Sequence, residues 1–533
     1  MGTYVNPGNS GFAEINDPDY VDKTGMIRLV NQTIGKKNKL TCISRPRRFG
    51  KSYAARMLTA YYDCSCDSHE LFDDKEIAQD KNYEKYLNRY NVIYLEMTSF
   101  ISSARRQGIS LREVPNRIAA AIKKDLDSVF SYERKDDSLT DSLIHIAEKP
   151  DGKKFIFIID EWDAMIREAK DDGVAQKRYL DLLREWFKNS TFTPKAVAAA
   201  YMTGILPIKK DGSQSAISEF KEYTMIRPGV FAPYIGFTEF EVLDLCNAHD
   251  IHFEKMKTWY DGYHFKGVSS IYNPNSIMEA IRNREFDSYW VQTSAAESLL
   301  TYIDMNEDGL QEDVARLISG EEIEVRTEMF QNDFQTFRDK DDVLTLMIHL
   351  GYLTYWKDDE GTGWVRIPNE EVRREFNRML RKGKHHELIR LVRESDELLQ
   401  ETIEGNAEAV AAAIAKVHDS NYAPQYYNNE QSLRSTIRMA YLSCVDQYMK
   451  IEELPSGHGV ADLVFLPKRR SMLPALVMEL KWNQTEHAAI AQIKDRHYPA
   501  ILEKFGGDIL LVGINYDSKT KEHTCRIERL QWE

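Results

Sequence analysis

Four short, almost wholly apolar runs constrain the N-terminal half of this chain more than any other feature. They are Leu40-Thr-Cys-Ile43, Val92-Ile-Tyr-Leu95, Phe155-Ile-Phe-Ile-Ile159 and Ala196-Val-Ala-Ala-Ala-Tyr-Met202. A strand of this kind has no polar face to turn to water, so both its faces must be covered. Apolar runs separated by stretches of helical periodicity imply a parallel sheet between two helical layers. The fold class expected from about Lys37 to Pro207 is therefore α/β.

The polar residues at the ends of these runs carry the chemistry. Ser44-Arg-Pro-Arg-Arg-Phe-Gly-Lys-Ser52 follows the first run and opens a helix at Tyr53. A strand–loop–helix setting is what a phosphate-binding loop requires: backbone N–H groups curl around phosphates and the helix dipole favours the anion. Arg48, Phe49 and Gly50 shape the loop, Lys51 bridges the outer phosphates, and Ser52 holds Mg²⁺. Arg45 stands where the common G-x-x-x-x-G-K-S pattern has its first glycine. Arg45, Arg47 and Arg48 either reach a phosphate or sit in structural salt bridges, and the sequence leaves both open.

The third run ends in Asp160-Glu161. Asp160 is expected to orient Mg²⁺ and Glu161 to polarise the attacking water. Asp163, just beyond, reads as a helix cap. The fourth run ends at Thr203, the candidate to contact a γ-phosphate between the loop and Asp160. ATP with Mg²⁺ is the ligand these residues suit.

At 533 residues the chain exceeds what one hydrophobic core supports. Changes in pattern divide it into 1–237, a nucleotide-binding α/β unit; 238–381, largely helical; 382–424, a charged helical connector; and 425–533, a second α/β unit. In the middle region a helix ending at Gly351 precedes strands Tyr352–Trp356 and Trp364–Ile367, with Gly361 and Gly363 at the tip. This is a winged-helix pattern that serves either as a lid or spacer or as a DNA contact. The formal net charge of −14 argues against a surface coated with nucleic acid, but not against a local basic channel. The 6 cysteines show no CxxC pair, and Cys64 and Cys66 have no zinc spacing, so reduced thiols are expected. Residues 1–20 lack the charged and apolar regions of a secretory signal, and Asn6 stands where N-myristoylation wants Ser or Thr. With no apolar run long enough to span a bilayer, a soluble cytoplasmic protein is expected.

The C-terminal region holds a second chemical constellation. Gly459-Val-Ala-Asp-Leu-Val-Phe-Leu-Pro467 reads as a strand carrying Asp462, and Ala475-Leu-Val-Met-Glu-Leu-Lys-Trp482 as another carrying Glu479 and Lys481. Strand side chains alternate, so Glu479 and Lys481 share a face. Adjacent strands would bring Asp462, Glu479 and Lys481 to one point. Two carboxylates and a backbone carbonyl suit Mg²⁺, or Mn²⁺, and Lys481 would position or activate water for phosphodiester hydrolysis. Charges interrupting so apolar a strand need a reason. His458 and His487 read as surface residues, and Lys468, Arg469 and Arg470 as either a charged hairpin tip or DNA-backbone contacts.

Taken with Tyr20-Val-Asp-Lys-Thr24, Thr203-Gly204, Trp259-Tyr-Asp-Gly-Tyr263 and Tyr272-Asn-Pro274, the Arg45–Ser52 string and Asp160-Glu161 make the chain resemble the bacterial AAA-ATPase-like family. The string Arg-Pro-Arg-Arg-Phe-Gly-Lys-Ser is characteristic of that family. The resemblance implies an AAA+/STAND-like ATPase core, a homo-oligomer, a place near the base for Tyr20–Thr24, and a C-terminal restriction-endonuclease-like domain of the PD-(D/E)XK type. Gln492, Lys494 and Tyr498 resemble that superfamily's Q-x-K-x-x-x-Y helix, with Gln492 supporting the metal site. Glu430 resembles its additional acidic ligand. The substrate implied is nucleic acid, DNA by preference, with ATP switching or assembling the nuclease.

Overall fold

The computed structural model describes residues 1–132, 137–208, 210–211, 214–215, 217–290, 299, 303, 307–328, 330, 339–382, 386–421, 429–456, 459–467, 473–495 and 508–530. The chain divides into two compact units. The first is 1–291 with 324–371, and the second is 292–323 with 372–533.

In the first unit the four apolar runs are strands: β1 (Leu40–Ser44), β2 (Asn91–Glu96), β3 (Phe155–Asp160) and β4 (Val197–Gly204). A three-residue strand, β5 (Lys221–Tyr223), joins them. The order is β2-β3-β4-β1-β5 and every pairing is parallel. All residues of β1, β3 and β4 are buried, as strands covered on both faces must be. β5 escapes the sequence pattern because Lys-Glu-Tyr is short and polar, which suits a sheet edge.

Helix α1 (Lys51–Tyr62) follows β1. Helices α2 (Val114–Phe130), α3 (Ala164–Glu168) and α4 (Gly173–Phe187) belong to the layers around the sheet. Phe157 of β3 meets the rings of Trp186, Phe187 and Phe192, which joins α4 to the sheet. Each such buried aromatic contributes about 1.5–3 kcal/mol relative to an exposed one.

Pro274 opens α5 (Pro274–Asn283) as its first residue, where a missing N–H costs nothing. The expected winged-helix pattern is present as α6 (Lys340–Leu350), ended by Gly351 at φ 87°, and an antiparallel hairpin of Thr354–Lys357 with Gly363–Arg366.

The second unit holds helices His386–Glu404 and Ala407–Asn421, then α7 (Glu430–Ala440). Its sheet contains β6 (Tyr448–Ser456), β7 (Gly459–Pro467), β8 (Ala475–Trp482), β9 (Ile509–Asp517) and β10 (Glu522–Leu530), side by side in that order. Only β8 and β9 run parallel; the other neighbours are antiparallel. Between β8 and β9 comes α8 (Glu486–Asp495).

Alternation sorts the sheet's two faces. Leu463, Met478 and Leu480 join Leu433 and Ile437 of α7 in one core. Val464 and Val477 join Ile490 and Ile493 of α8 in the other. The edge strands β6 and β10 are not legible in the sequence. Glu522, Arg526 and Glu528 in β10 break the apolar signal, as charged edge strands do.

A nucleotide pocket and a carboxylate site

The parallel sheet places its polar strand ends together. Because β4 lies between β1 and β3, Thr203 pairs in register with Ile43, and Met202 with Ile159. The Thr203 hydroxyl donates to Asp160 Oδ1, and the Glu161 N–H donates to both Asp160 Oδ1 (3.1 Å) and Thr203 Oγ1 (3.3 Å). Glu161 adopts φ 52°, a left-handed conformation that non-glycine residues rarely take.

The loop from Arg45 to Gly50 carries two further left-handed residues, Arg48 (φ 66°) and Gly50 (φ 86°). Space around Gly50 is open. No side chain caps the N-terminus of α1, which leaves its first N–H groups suited to an anion. Lys51 Nζ crosses the loop to the Pro46 carbonyl (2.7 Å). Burial pushes this ammonium down to about 8; Glu161, Asp160 and Asp163 oppose the shift, and Arg167 adds to it. Phe49 is fully buried, edge-on to Tyr263 at 5.3 Å.

A pocket of about 540 Å³ opens over the loop. It is lined by Gly50, Lys51, Ser52, Glu161 and Arg167 and by the apolar Val21, Met57, Phe237 and Met278, with Tyr20 among them. Tyr20 and Val21, expected near a base only through resemblance, thus line the same pocket as the loop. Lys23 pins this segment through Glu241 (2.6 Å) and the Pro233 carbonyl (2.7 Å). The hard oxygens of Ser52 and of Asp160, itself held by Thr203, suit Mg²⁺, and the open glycine cradle with its uncapped helix suits a triphosphate.

One reading needs correction here, and the partners of two arginines can be named. Asp163 occupies a cap position, but its carboxylate makes no cap bond. It accepts instead from the Ile205 (3.1 Å) and Leu206 (2.9 Å) N–H groups and from Arg167 Nε (3.1 Å). The chain turning beyond β4 leaves those two donors in need of an acceptor. Among the described residues Arg45 meets no carboxylate: its buried guanidinium donates to the Ser44 and Tyr223 carbonyls and lies 4.9 Å from the Phe265 ring. Arg48 donates to the Asn275 amide oxygen (2.8 Å). Arg167 was missed altogether. Its only sequence signal is its position four residues after Asp163, one helical turn away.

In the second unit, Asp462, Glu479 and Lys481 meet at one end of the β7–β8 pair, on the face covered by α8. The register Leu463 with Met478 sets the next residues, Asp462 and Glu479, across from one another. All three are buried. Asp462 Oδ2 accepts from the Leu480 N–H (2.9 Å), and Glu479 Oε1 accepts from Lys481 Nζ (3.1 Å) and from the Gln492 amide of α8.

Asp462 Oδ1 is bonded to Arg434 of α7 at 2.5 Å, a partner the sequence did not reveal. Two anions and two cations therefore balance, which buried charge demands. Glu430 lies one turn before Arg434. Among the described residues no group of three or more His, Cys, Asp or Glu is placed to hold a metal, so Glu430 is not gathered with Asp462 and Glu479 as expected. The remaining donors, two buried carboxylates, fit a hard divalent ion that keeps several waters.

His487 is exposed, as expected. His458, Lys468, Arg469, Arg470 and Tyr498 lie outside the described residues. The six cysteines are free. Among the described residues no helix is long and apolar enough to cross a membrane.

Comparison with known proteins agrees with this geometry. Residues 8–213 match the AAA-ATPase-like family, described as a predicted AAA-ATPase. Residues 428–524 match a PD-(D/E)XK nuclease superfamily model. No curated protein matches the chain. Among solved structures, a Walker-type ATPase of Pyrococcus abyssi aligns over 67% of this chain and 94% of its own, at 12% identity and a TM-score of 0.32. The ORC2 protein of Aeropyrum pernix aligns over 69% and 97%, at 10% identity and a TM-score of 0.30. Likeness of that size carries no argument; the assignment rests on the two family models.

Proposed function

Because this chain joins a domain of the AAA-ATPase-like family to a domain of the PD-(D/E)XK nuclease superfamily, we propose that it binds and hydrolyses ATP and that its C-terminal site cuts phosphodiester bonds, in DNA by preference. One observation supports the cleavage reading above others. Glu479 accepts directly from Lys481 and from Gln492 of the helix, and Asp462, set across from it on the neighbouring strand, accepts from the Leu480 N–H.

In the first unit, the loop and the α1 N-terminus bind the phosphates, Lys51 bridges the outer two, and Ser52 with Asp160 holds Mg²⁺. Thr203 keeps Asp160 in place, and Glu161 takes the proton of the attacking water. In the second unit, Asp462 and Glu479 would hold Mg²⁺ or Mn²⁺, which would supply charge stabilisation at the cleaved phosphate. Lys481 orients the water, and Gln492 fixes the rotamer of Glu479. We place the protein in the cytoplasm as a homo-oligomer, with functional divisions at 1–237, 238–381, 382–424 and 425–533. Glu430 is assigned no role.

The pairing of Arg434 with Asp462 favours a second reading, in which the nuclease fold is a binding module under nucleotide control. A cleavage assay separates the two. Linear and circular DNA and RNA are incubated with Mg²⁺ or Mn²⁺, with and without ATP, beside Lys481→Ala. Metal-dependent cutting that Lys481→Ala reduces at least ~100-fold while ATP turnover stays intact supports the nuclease. Intact ATPase with no cutting of any substrate moves the assignment to the binding module.

A further inference from the structure

Arg167 touches the carboxylate that the proposed ATPase chemistry needs, and its two ends are held very differently. Nε faces Asp163, which is fully buried and fixed by the Ile205 and Leu206 N–H groups. That end has nowhere to go. Nη2 reaches Glu161 Oε2 (2.9 Å), whose side chain is 28% exposed and lines the pocket beside Lys51 and Ser52. The guanidinium has five donors in a fixed fork, so it can keep Asp163 while changing its second partner.

Glu161 cannot move its backbone freely, since its N–H is tied to Asp160 and Thr203. Its carboxylate direction is therefore set by what holds Oε2. While Arg167 does so, that oxygen is already occupied by a guanidinium donor. A terminal phosphate dianion in the same pocket is a stronger acceptor than a carboxylate for an arginine fork.

We propose that Arg167 is a ligand of the nucleotide's terminal phosphate, supplied by the same chain, and that it reaches this phosphate by leaving Glu161. ATP, but not ADP, then frees the carboxylate. The water oxygen bonds to the γ-phosphorus as the bond to the β–γ bridging oxygen breaks. The bridging electron pair leaves with ADP. The water proton passes to Glu161 and from there to the released phosphate. Asp163 is a positioning residue that holds Arg167 by its other end.

The inference rests on the ATPase reading, and equilibrium binding separates their failures. The probes are ADP and the non-hydrolysable β,γ-imido analogue of ATP, with Mg²⁺, on the full chain. Arg167→Ala should weaken analogue binding by about 10- to 100-fold, the range of one charge-assisted hydrogen bond, and leave ADP within about threefold. Equal losses for both nucleotides, or no loss, would overturn the proposal and leave Arg167 a structural counterion of Asp163.

Should Arg167→Ala not fold, Glu161→Gln tests the exchange from the other side. With its competitor neutral, Arg167 should bind the analogue several-fold more tightly. In a folded double variant with Arg167→Gln that gain should vanish; an undiminished gain would mean simple charge repulsion and sink the exchange. Failure of the unaltered protein to bind either nucleotide would instead sink the ATPase reading.

Discussion

Raising the pH from 7 to 9 should weaken ATP binding about tenfold, a loss of ~1.4 kcal/mol, through Lys51 alone. Burial holds its ammonium near 8 in the nucleotide-free pocket, although three carboxylates lean the other way. Phosphates on either side of the nitrogen restore the charge, so the bound-state value returns to the ordinary lysine range near 10.5 or above. The free value lies below the bound one, and binding therefore takes up protons. Affinity is retained below pH 8 and lost as pH rises through it. At pH 8 the uptake should be about half a proton per nucleotide. Titration calorimetry at pH 7, 8 and 9, repeated in two buffers of different ionisation enthalpy, measures both quantities. Superimposable isotherms with buffer-independent enthalpy would refute the reasoning. They would mean that Glu161, Asp160 and Asp163 outweigh burial and that Lys51 is fully charged before ATP arrives.

Asp163→Ala orphans two buried N–H groups and half of Arg167, so the first unit should lose about 3–5 kcal/mol of stability, read as a lowered denaturant midpoint. A midpoint unchanged from the parent would refute that account. Arg434→Ala removes the cation beside Asp462 and should tighten Mn²⁺ binding to the second unit on the order of tenfold. Equal or weaker Mn²⁺ binding would show that Arg434 does not compete with the ion.

The central strands were legible because they are nearly all apolar, and such runs admit few environments. Phe155–Ile159 could only be an inner strand, and the residues leaving its end could only be chemical or structural polar groups at a sheet edge. The strands of the two five-stranded sheets that escaped notice, β5, β6 and β10, lie at their edges, where charge and alternation erase the run. The candidate sites divide in the same way. Lys51 opens a helix after a strand and loop, Asp160 ends a strand, and Glu479 interrupts an apolar one, all of which sequence displays. Arg167 and Arg434 act through contacts across a turn or between a helix and a sheet, and only the fold brings those together. Asp163 reads as a cap because a carboxylate before a helix usually caps it. Here the chain leaving β4 offered two needier donors.

The division of the chain into compact units bears on how the protein is made. The polypeptide passes between the units at 291/292, 323/324 and 371/372. The first unit cannot be completed until residue 371 has left the ribosome, although every strand of its parallel sheet has emerged by residue 223. Residues 292–323 must meanwhile wait for partners that are synthesised only after residue 371. At ~5–20 residues per second, these 32 residues wait several seconds for the start of their partner segment, with apolar side chains such as Leu310, Val314 and Leu317 not yet covered. Translation speed through 324–371 is thus a variable on which correct assembly depends. A polypeptide severed at 371/372 would leave its N-terminal piece holding a segment that belongs to the core of the other.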